Sequence, residues 1–429
     1  MRNVVNYLES KKKPNSVDMV KRALDNLDLE IDPAMVIVVS GTNGKGSTCA
    51  TLQTLLMASG KNVGFLSSPH LIKINERIKF NGEDISDEDF CEIFNIVHAK
   101  VQDFDLSYFE YIMLIAAHYF FRTKSVDFAI LEIGLGGTFD AVNAVPHKLS
   151  VITKLGIDHE SILGNSPLKI AENKFGIISN NNYVFHTKFD NENVVQLFEK
   201  TVKKLQATAV EAYPYVCHVK RSNRYPSFYI EMSLGNFRMN LQGERAAENT
   251  ALAITVFDHL VNNAGQFLPA IDKVMWPGRM ERVTYRNHDV FLSGDHNPQG
   301  IQSLLDLLKF YNFENAHFVV GICRDKKYGE MLEKLLHSKS AKLYLTETPE
   351  KTLHIDEYDE CFLYAAEFIS ADPVEALNIA IDHAFRSEAS GLTFRQLVIV
   401  TGSLYLVGKI KAIITAQLYD RAANSIDIF

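Results

Sequence analysis

Val36–Ser47 reads VIVVSGTNGKGS, an apolar run followed by a glycine-rich turn and the start of an amphipathic stretch. Val36 to Val39 has the pattern of a strand buried in a parallel sheet. Gly41, Gly44 and Gly46 let the backbone turn tightly with its N–H groups aimed at a ligand, and Thr48 to Ala58 predicts a helix. A helix N-terminus carries unpaired N–H groups and the positive end of the helix dipole, so the turn suits an anion. Lys45 adds a cation, as the outer phosphates of a nucleoside triphosphate require. The spacing is not that of the strict P-loop: Val39 stands where the first glycine would be, and Gly46 separates Lys45 from Ser47. A turn that merely links strand to helix would not need so many matched features.

Around that stretch the chain has 429 residues, and at ~150 residues per domain it predicts two or three domains. The 44 Lys and Arg against 52 Asp and Glu argue against nonspecific binding to nucleic acid or to an anionic membrane. The start, MRNVVNYLESKKKP, has no apolar core of a signal peptide, and no apolar run approaches the ~18 residues of a membrane span. Cys49, Cys91, Cys217, Cys323 and Cys361 lie far apart, which predicts buried thiols rather than a disulfide framework or a zinc knuckle. A cytoplasmic location is the expectation.

Residues 1–34 predict one or two short helices, with Lys11–Lys13 as a solvated helix end. Asn62–Leu66 is strand-like, and SSPHLIKINERIKFNGEDIS reads as a long functional loop. Helices follow from Ser86 or Asp87 to about Val101 and over Tyr108–Phe121, the latter strongly apolar. Strands are predicted at Asp127–Ile133, Leu149–Thr153 and Tyr183–His186, with a helix at Pro167–Ile178. From Val210 to Leu241 short alternating strands suggest a small antiparallel annex, and Glu244–Asn262 returns to helix. This alternation predicts an α/β fold with a mainly parallel sheet covered on both faces. Val274–Arg279, VMWPGR, carries boundary punctuation. Beyond it a second, smaller Rossmann-like α/β domain is predicted, which divides the chain into residues 1–277 and 278–429.

Ligands of an open parallel sheet sit outside the carboxyl ends of its strands. The glycine turn follows one such end, Glu132 closes a second strand, and Asp158 and His159 lie just past a third. A phosphate nest, a carboxylate and an imidazole at one edge predict a magnesium site shared with the nucleotide, since magnesium takes oxygen ligands and keeps some waters. Bland readings remain for each: Glu132 as a helix-capping carboxylate, His159 as a structural histidine. Lys174 on its own reads as a surface helix lysine.

Taken together, GTNGKGS, SSPHL, NERI, EIGLGG, GIDH, IAENK, WPGR, HNP and VTGSLYLVG run in that order from about residue 36 to residue 408. The set resembles the folylpolyglutamate synthase/dihydrofolate synthase family, a branch of the Mur ligases. The resemblance implies Mur ligase architecture and an amide ligase in which ATP phosphorylates a folate or pterin carboxylate and L-glutamate attacks the acyl phosphate. It implies magnesium, as one or two ions, on Ser68, Glu132, His159 and Lys174, with Lys174 carrying a carbamate, and it extends to a potassium ion. Lys45, Glu132, His159 and Lys174 would serve the chemistry. Gly44, Lys45, Gly46, Ser47, Asn249, Arg279, Asp295 and His296 would hold ATP, with domain closure bringing the later residues in. Ser107, Tyr108, Phe109, Glu110, Phe139, Asp140 and Ala141 would line the acceptor pocket. A monomer is expected.

The sequence also departs from the family pattern. Ser293 replaces a nucleotide-contacting aspartate, with Asp295 two residues later. Arg245–Ala246 replaces a His-Gln pair, Thr138 an arginine, Phe139 a leucine and Phe175 an alanine. Loss of a guanidinium at Thr138 would weaken recognition of an anionic substrate tail. Two other readings therefore stand beside the first: a Mur-type ligase for a different carboxylate, and a weakened nucleotide-binding paralogue with a regulatory role.

Overall fold

The computed structural model describes residues 1–11, 16–222, 224–338, 340–386 and 395–426, so of the Lys11–Lys13 run only Lys11 is described. Two compact units result: Met1–His218 with Tyr229–Asn240 and Arg245–Met275, and Val219–Phe228 with Leu241–Glu244 and Trp276–Phe429.

The first unit is built on an eight-stranded sheet. Its strands are β1 (Val36–Ser40), β2 (Val63–Leu66), β3 (Ile78–Phe80), β4 (Glu83–Asp84), β5 (Phe128–Glu132), β6 (Leu149–Ile152), β7 (Tyr183–His186) and β8 (Thr208–Glu211), in the order β4-β3-β2-β5-β1-β6-β7-β8. Strands β2, β5, β1, β6, β7 and β8 are parallel. Val36 to Val39 are fully buried, as an apolar run between two helical layers demands. Register sets the site: Val39 lies opposite Glu132, and Ser40 opposite Ile152, so three strand ends finish level.

Several segments differ from the sequence reading. The supposed loop after Leu66 contains the antiparallel strands β3 and β4. They are joined at Asn81 (φ 49°) and Gly82 (φ 84°), an Asn-Gly hairpin turn, which is a strong local signal and was legible in FNGED. The Tyr108 helix ends at His118 and widens into a π-helical turn, Tyr119–Lys124, instead of stopping at Phe121. Val210 belongs to β8 at the edge of the main sheet and not to the annex, which is a separate three-stranded sheet of β9 (Val216–Lys220), β10 (Ser227–Met232) and β11 (Gly235–Met239). Helix Glu192–Lys204, between β7 and β8, had no counterpart in the sequence reading.

Packing under the sheet is close. A Cβ added at Gly64 would come within 2.5 Å of the Phe120 ring, which is itself fully buried. Gly64→Ala should therefore destabilise the fold by about 1–3 kcal/mol, the usual range for overpacking, read as a lower urea midpoint.

In the second unit the strands are β12 (Glu281–Tyr285), β13 (His288–Leu292), β14 (Asn315–Val320), β15 (Ala341–Leu345), β16 (Phe368–Ile369) and β17 (Gln396–Thr401). Their order is β12-β13-β17-β14-β15-β16, with β12 antiparallel and the rest parallel. Helices Pro298–Leu308, Tyr328–Leu336 and Pro373–Arg386 make the crossovers, and Leu404–Ile426 closes the chain. Strand β12 was missed in sequence because ERVTY alternates over only five residues. All five cysteines are free thiols, but only Cys49 and Cys323 are buried as expected; Cys91 and Cys217 are half-buried and Cys361 is exposed. Among the described residues no helix is long and apolar enough to cross a membrane.

Candidate active site

The glycine turn leaves β1 through Gly41 (φ 147°), where an added Cβ would lie 1.9 Å from the Thr153 hydroxyl. Gly44 (φ 93°) is the N-cap of helix Lys45–Ala58, so Lys45, Gly46 and Ser47 form its first turn, earlier than the predicted start at Thr48. Both positions need glycine on conformation and on space. The segment after β6 clamps the turn: Lys154 O accepts from Thr42 N (3.0 Å) and Asn43 N (3.3 Å). Thr153 Oγ1 donates to Asn43 O at 2.8 Å, and Ser40 Oγ donates to Gly136 O at 2.7 Å.

Two cations meet at this turn. Lys45 Nζ and Lys174 Nζ both donate to Gly41 O, at 3.2 and 2.8 Å. Lys174 is only 4% exposed, which corrects its reading as a surface lysine. Its neighbours on the helix give the reason: Ile170 and Ala171 are buried one turn earlier, so Lys174 falls on the apolar face. That periodicity was present in IAENK and is the signal that finds it. Burial, followed by the Lys45 charge, lowers the Lys174 pKa to about 7, against the pull of Asp158 and Asp140.

Glu132 is buried at the end of β5 and accepts from Ser68 N at 3.1 Å, which brings the SSPHL segment to the strand end. Glu132 and Lys45 both act on the buried Cys49 thiol, with opposite sign, so the carboxylate and the ammonium share that neighbourhood. The segment itself is pinned by Glu76, which accepts from Leu71 N, Ile72 N and Lys73 N at 2.8–2.9 Å. Arg77 Nε donates to His70 Nδ1 at 2.8 Å, and its guanidinium lies 5.3 Å from the Tyr108 ring centroid. Burial and then Arg77 bring the His70 pKa down to about 4.

His159 adopts a left-handed conformation (φ 52°), its N–H donating to the Asp158 carboxylate at 2.8 Å and its ring a third exposed. Among the described residues no three His, Cys, Asp or Glu side chains form a metal-holding group, so Glu132 and His159 are not joined by a third of these types. Ser68, tied to Glu132 through its backbone N–H, and Glu132 each carry a hard oxygen donor of the kind magnesium prefers.

On the acceptor side, Ser107 and Glu110 form a capping box: Glu110 accepts from Ser107 N at 2.7 Å, and both side chains are buried. The Phe109 ring lies 3.2 Å from where a Gly134 Cβ would sit. Asp140 caps the 3₁₀ turn Ala141–Ala144 and accepts from Leu135 N and Val142 N, both at 2.9 Å. Burial raises its pKa to about 6 despite those bonds. Phe139 is 76% exposed. Thr138 has become structural, its hydroxyl and its N–H both donating to Asn173 O at 2.9 Å. Phe175 roots the Lys174 helix among Phe189 (5.6 Å) and Phe198 (5.3 Å).

Asn249, 2% exposed on helix Glu244–Leu260, faces the turn: a Gly44 Cβ would meet its Oδ1 at 2.1 Å. That oxygen is buried and has no hydrogen-bond partner among the described residues. In the second unit, Arg279 Nη1 donates to Gly294 O (3.1 Å), and His296 Nδ1 is 2.9 Å from the same oxygen. Ser293 Oγ donates to the Asp295 carboxylate at 2.7 Å, so the departure and its neighbour act as one unit. Asp295 O in turn accepts from Gly402 N at 3.0 Å.

A family model described as the Mur ligase glutamate ligase domain matches residues 278–404. The chain is 31% identical over 396 residues to the dihydrofolate synthase/folylpolyglutamate synthase of Bacillus subtilis, covering 87% of this chain and 89% of that protein. The fold matches the Mycobacterium tuberculosis folylpolyglutamate synthase complexed with ADP at TM-score 0.86, with 22% identity over 96% of this chain and 97% of that one. An FPGS–AMPPCP–folate complex matches at TM-score 0.79 and 26% identity, over 96% of this chain and 98% of that one.

Proposed function

The chain belongs to the folylpolyglutamate synthase/dihydrofolate synthase family, and on that premise we propose that it is an ATP-dependent ligase joining L-glutamate to a folate or dihydropteroate carboxylate. The observation that carries the reading is the convergence of Lys45 and Lys174 on Gly41 O, inside a glycine turn that opens a helix. Such a nest has few uses other than gripping phosphates. The structural relative complexed with AMPPCP and folate supports the same ligand classes.

In this reading the helix N-terminus and Lys45 hold the outer phosphates, and a carboxylate oxygen of the acceptor displaces ADP from the terminal phosphorus. The Lys45 charge offsets the negative charge that builds on the transferring group. The neutral amine of glutamate then attacks the acyl carbon, phosphate leaves with the C–O electron pair, and the amine loses a proton. Ser68, Glu132, His159 and a carbamate on Lys174 would hold magnesium, which when bound supplies further charge neutralisation along the phosphates. Asn249, through its unpartnered buried oxygen, and Arg279, Asp295 and His296 are assigned to the nucleotide. Residues 107–110 and 139–141 are assigned to the acceptor. The protein works in this reading as a cytoplasmic monomer.

The test is ADP release with dihydropteroate, tetrahydrofolate or folyl-monoglutamate plus glutamate, in potassium and in sodium buffers. Release with any acceptor, dependent on glutamate, supports the reading; silence with all three sinks it. Glu132→Gln should lower that release by about 10²-fold or more, since it removes an oxygen donor and its charge from the site. A rate unchanged in this variant would identify a contaminating ATPase.

A further inference from the structure

We propose that Lys154 is a positioning residue for the nucleotide, acting through Asn249. The proposal rests on the reading of the glycine turn as a nucleotide site. Three elements meet at this one residue. Its carbonyl oxygen takes the N–H groups of Thr42 and Asn43 and so shapes the turn itself. Its ammonium reaches the Asp190 carboxylate at 2.7 Å and that of Glu248 at 3.8 Å, with Lys154 and Glu248 both largely shielded, 23% and 20% exposed. Glu248 immediately precedes Asn249 on helix Glu244–Leu260.

Adjacent helical residues point about 100° apart, so Lys154 holds the helix from one side while Asn249 faces the turn. The fit at that face is tight, because the Asn249 side chain occupies the space that a Gly44 Cβ would need. A small rotation or slide of the helix would move the Asn249 amide out of register with anything bound at the turn. Lys154 thus couples the shape of the turn to the placement of its amide neighbour. Asp190, just before helix Glu192–Lys204 and 74% exposed, gives the ammonium its shorter contact. None of these contacts involves the reacting groups, so the effect belongs to binding and not to the chemical step.

The experiment compares wild type, Lys154→Met, Lys154→Arg, Glu248→Gln and Lys154→Met/Glu248→Gln by calorimetric titration with ADP and AMPPCP, alongside thermal melting and ATP kinetics. Lys154→Met should weaken nucleotide binding roughly 3- to 10-fold and raise the KM for ATP in parallel, leaving kcat within about twofold. Lys154→Arg should restore affinity, the double variant should be no weaker than Lys154→Met, and raising the salt should narrow the gap, since partly exposed pairs are screened. Unchanged affinity in Lys154→Met overturns the proposal. So does a loss that arginine does not restore, which would make Lys154 a packing residue only. A wild-type protein that binds neither nucleotide overturns the reading of the turn itself, and that result is distinct from both.

Discussion

Gly44→Ala is expected to abolish tight nucleotide binding, raising the Kd for ADP or AMPPCP by about 10²-fold or more while leaving the protein folded. Two independent effects add. The residue sits at φ 93°, where an L side chain is strained, and its Cβ would lie 2.1 Å from Asn249 Oδ1 and 2.7 Å from Asn249 Cγ. Asn249 cannot retreat cheaply, because it is 2% exposed on a helix whose neighbouring positions Ala247, Thr250 and Ala251 are also buried. The turn must give instead, and Gly44 is the N-cap of the helix proposed to hold the phosphates. The double variant Gly44→Ala/Asn249→Ala separates the causes: removing the amide relieves the collision and should recover much of any loss in melting temperature. Affinity should stay low, since the φ strain and the missing amide both remain. Wild-type affinity in Gly44→Ala would show that phosphates do not bind at this turn.

Local pattern carried most of the first unit's architecture. VIVV, FAILE and LSVI are short, mainly apolar runs, and each became a buried parallel strand. The failures are of two physical kinds. Some signals are local: the Asn81–Gly82 turn was strong but passed over inside a long polar segment, and the five-residue β12 has too few alternating side chains to establish a period. Others lie in tertiary contact and have no local trace. Nothing near Asn249 in sequence says that it packs on Gly44, and nothing near Thr138 says that its hydroxyl would hold Asn173 O. Position after a parallel strand, itself a spatial statement, brought Lys45 and Glu132 to neighbouring strand ends, whereas Ser68 and Lys174 came only from what the resemblance implies. What the motifs did not supply is the electrostatics: two ammonium groups on one carbonyl is a conflict visible only in three dimensions.

That conflict yields the sharpest expectation: Lys174→Met should be inactive yet more stable than wild type. With its pKa lowered to about 7, Lys174 is protonated in the unfolded chain up to about pH 10.5 but loses its proton in the fold near neutrality. The unfolded state therefore binds more protons between these values, and this group's contribution to stability rises with pH across that window. Below pH 7 the penalty of a buried ammonium beside Lys45 is fully present, and above about pH 10.5 it has gone. Methionine removes the penalty with a similar volume, so the gain in melting temperature should be largest below pH 7 and vanish toward pH 10.5. The same lowered pKa suits the proposed carbamate. At pH 8 roughly nine-tenths of such a lysine is the neutral amine that attacks CO₂, against well under a hundredth for an ordinary lysine. Carboxylation would turn the Lys45–Lys174 repulsion into an attraction and place an anionic oxygen donor where magnesium is proposed. Wild-type ADP release should accordingly fall in CO₂-depleted buffer and recover with bicarbonate, whereas Lys174→Arg, which keeps the charge but cannot form the carbamate, should stay at least about 10²-fold down in either. Bicarbonate-independent activity, or an active Lys174→Arg, would leave Lys174 as a phosphate-side cation and return the metal to Ser68, Glu132 and His159 alone.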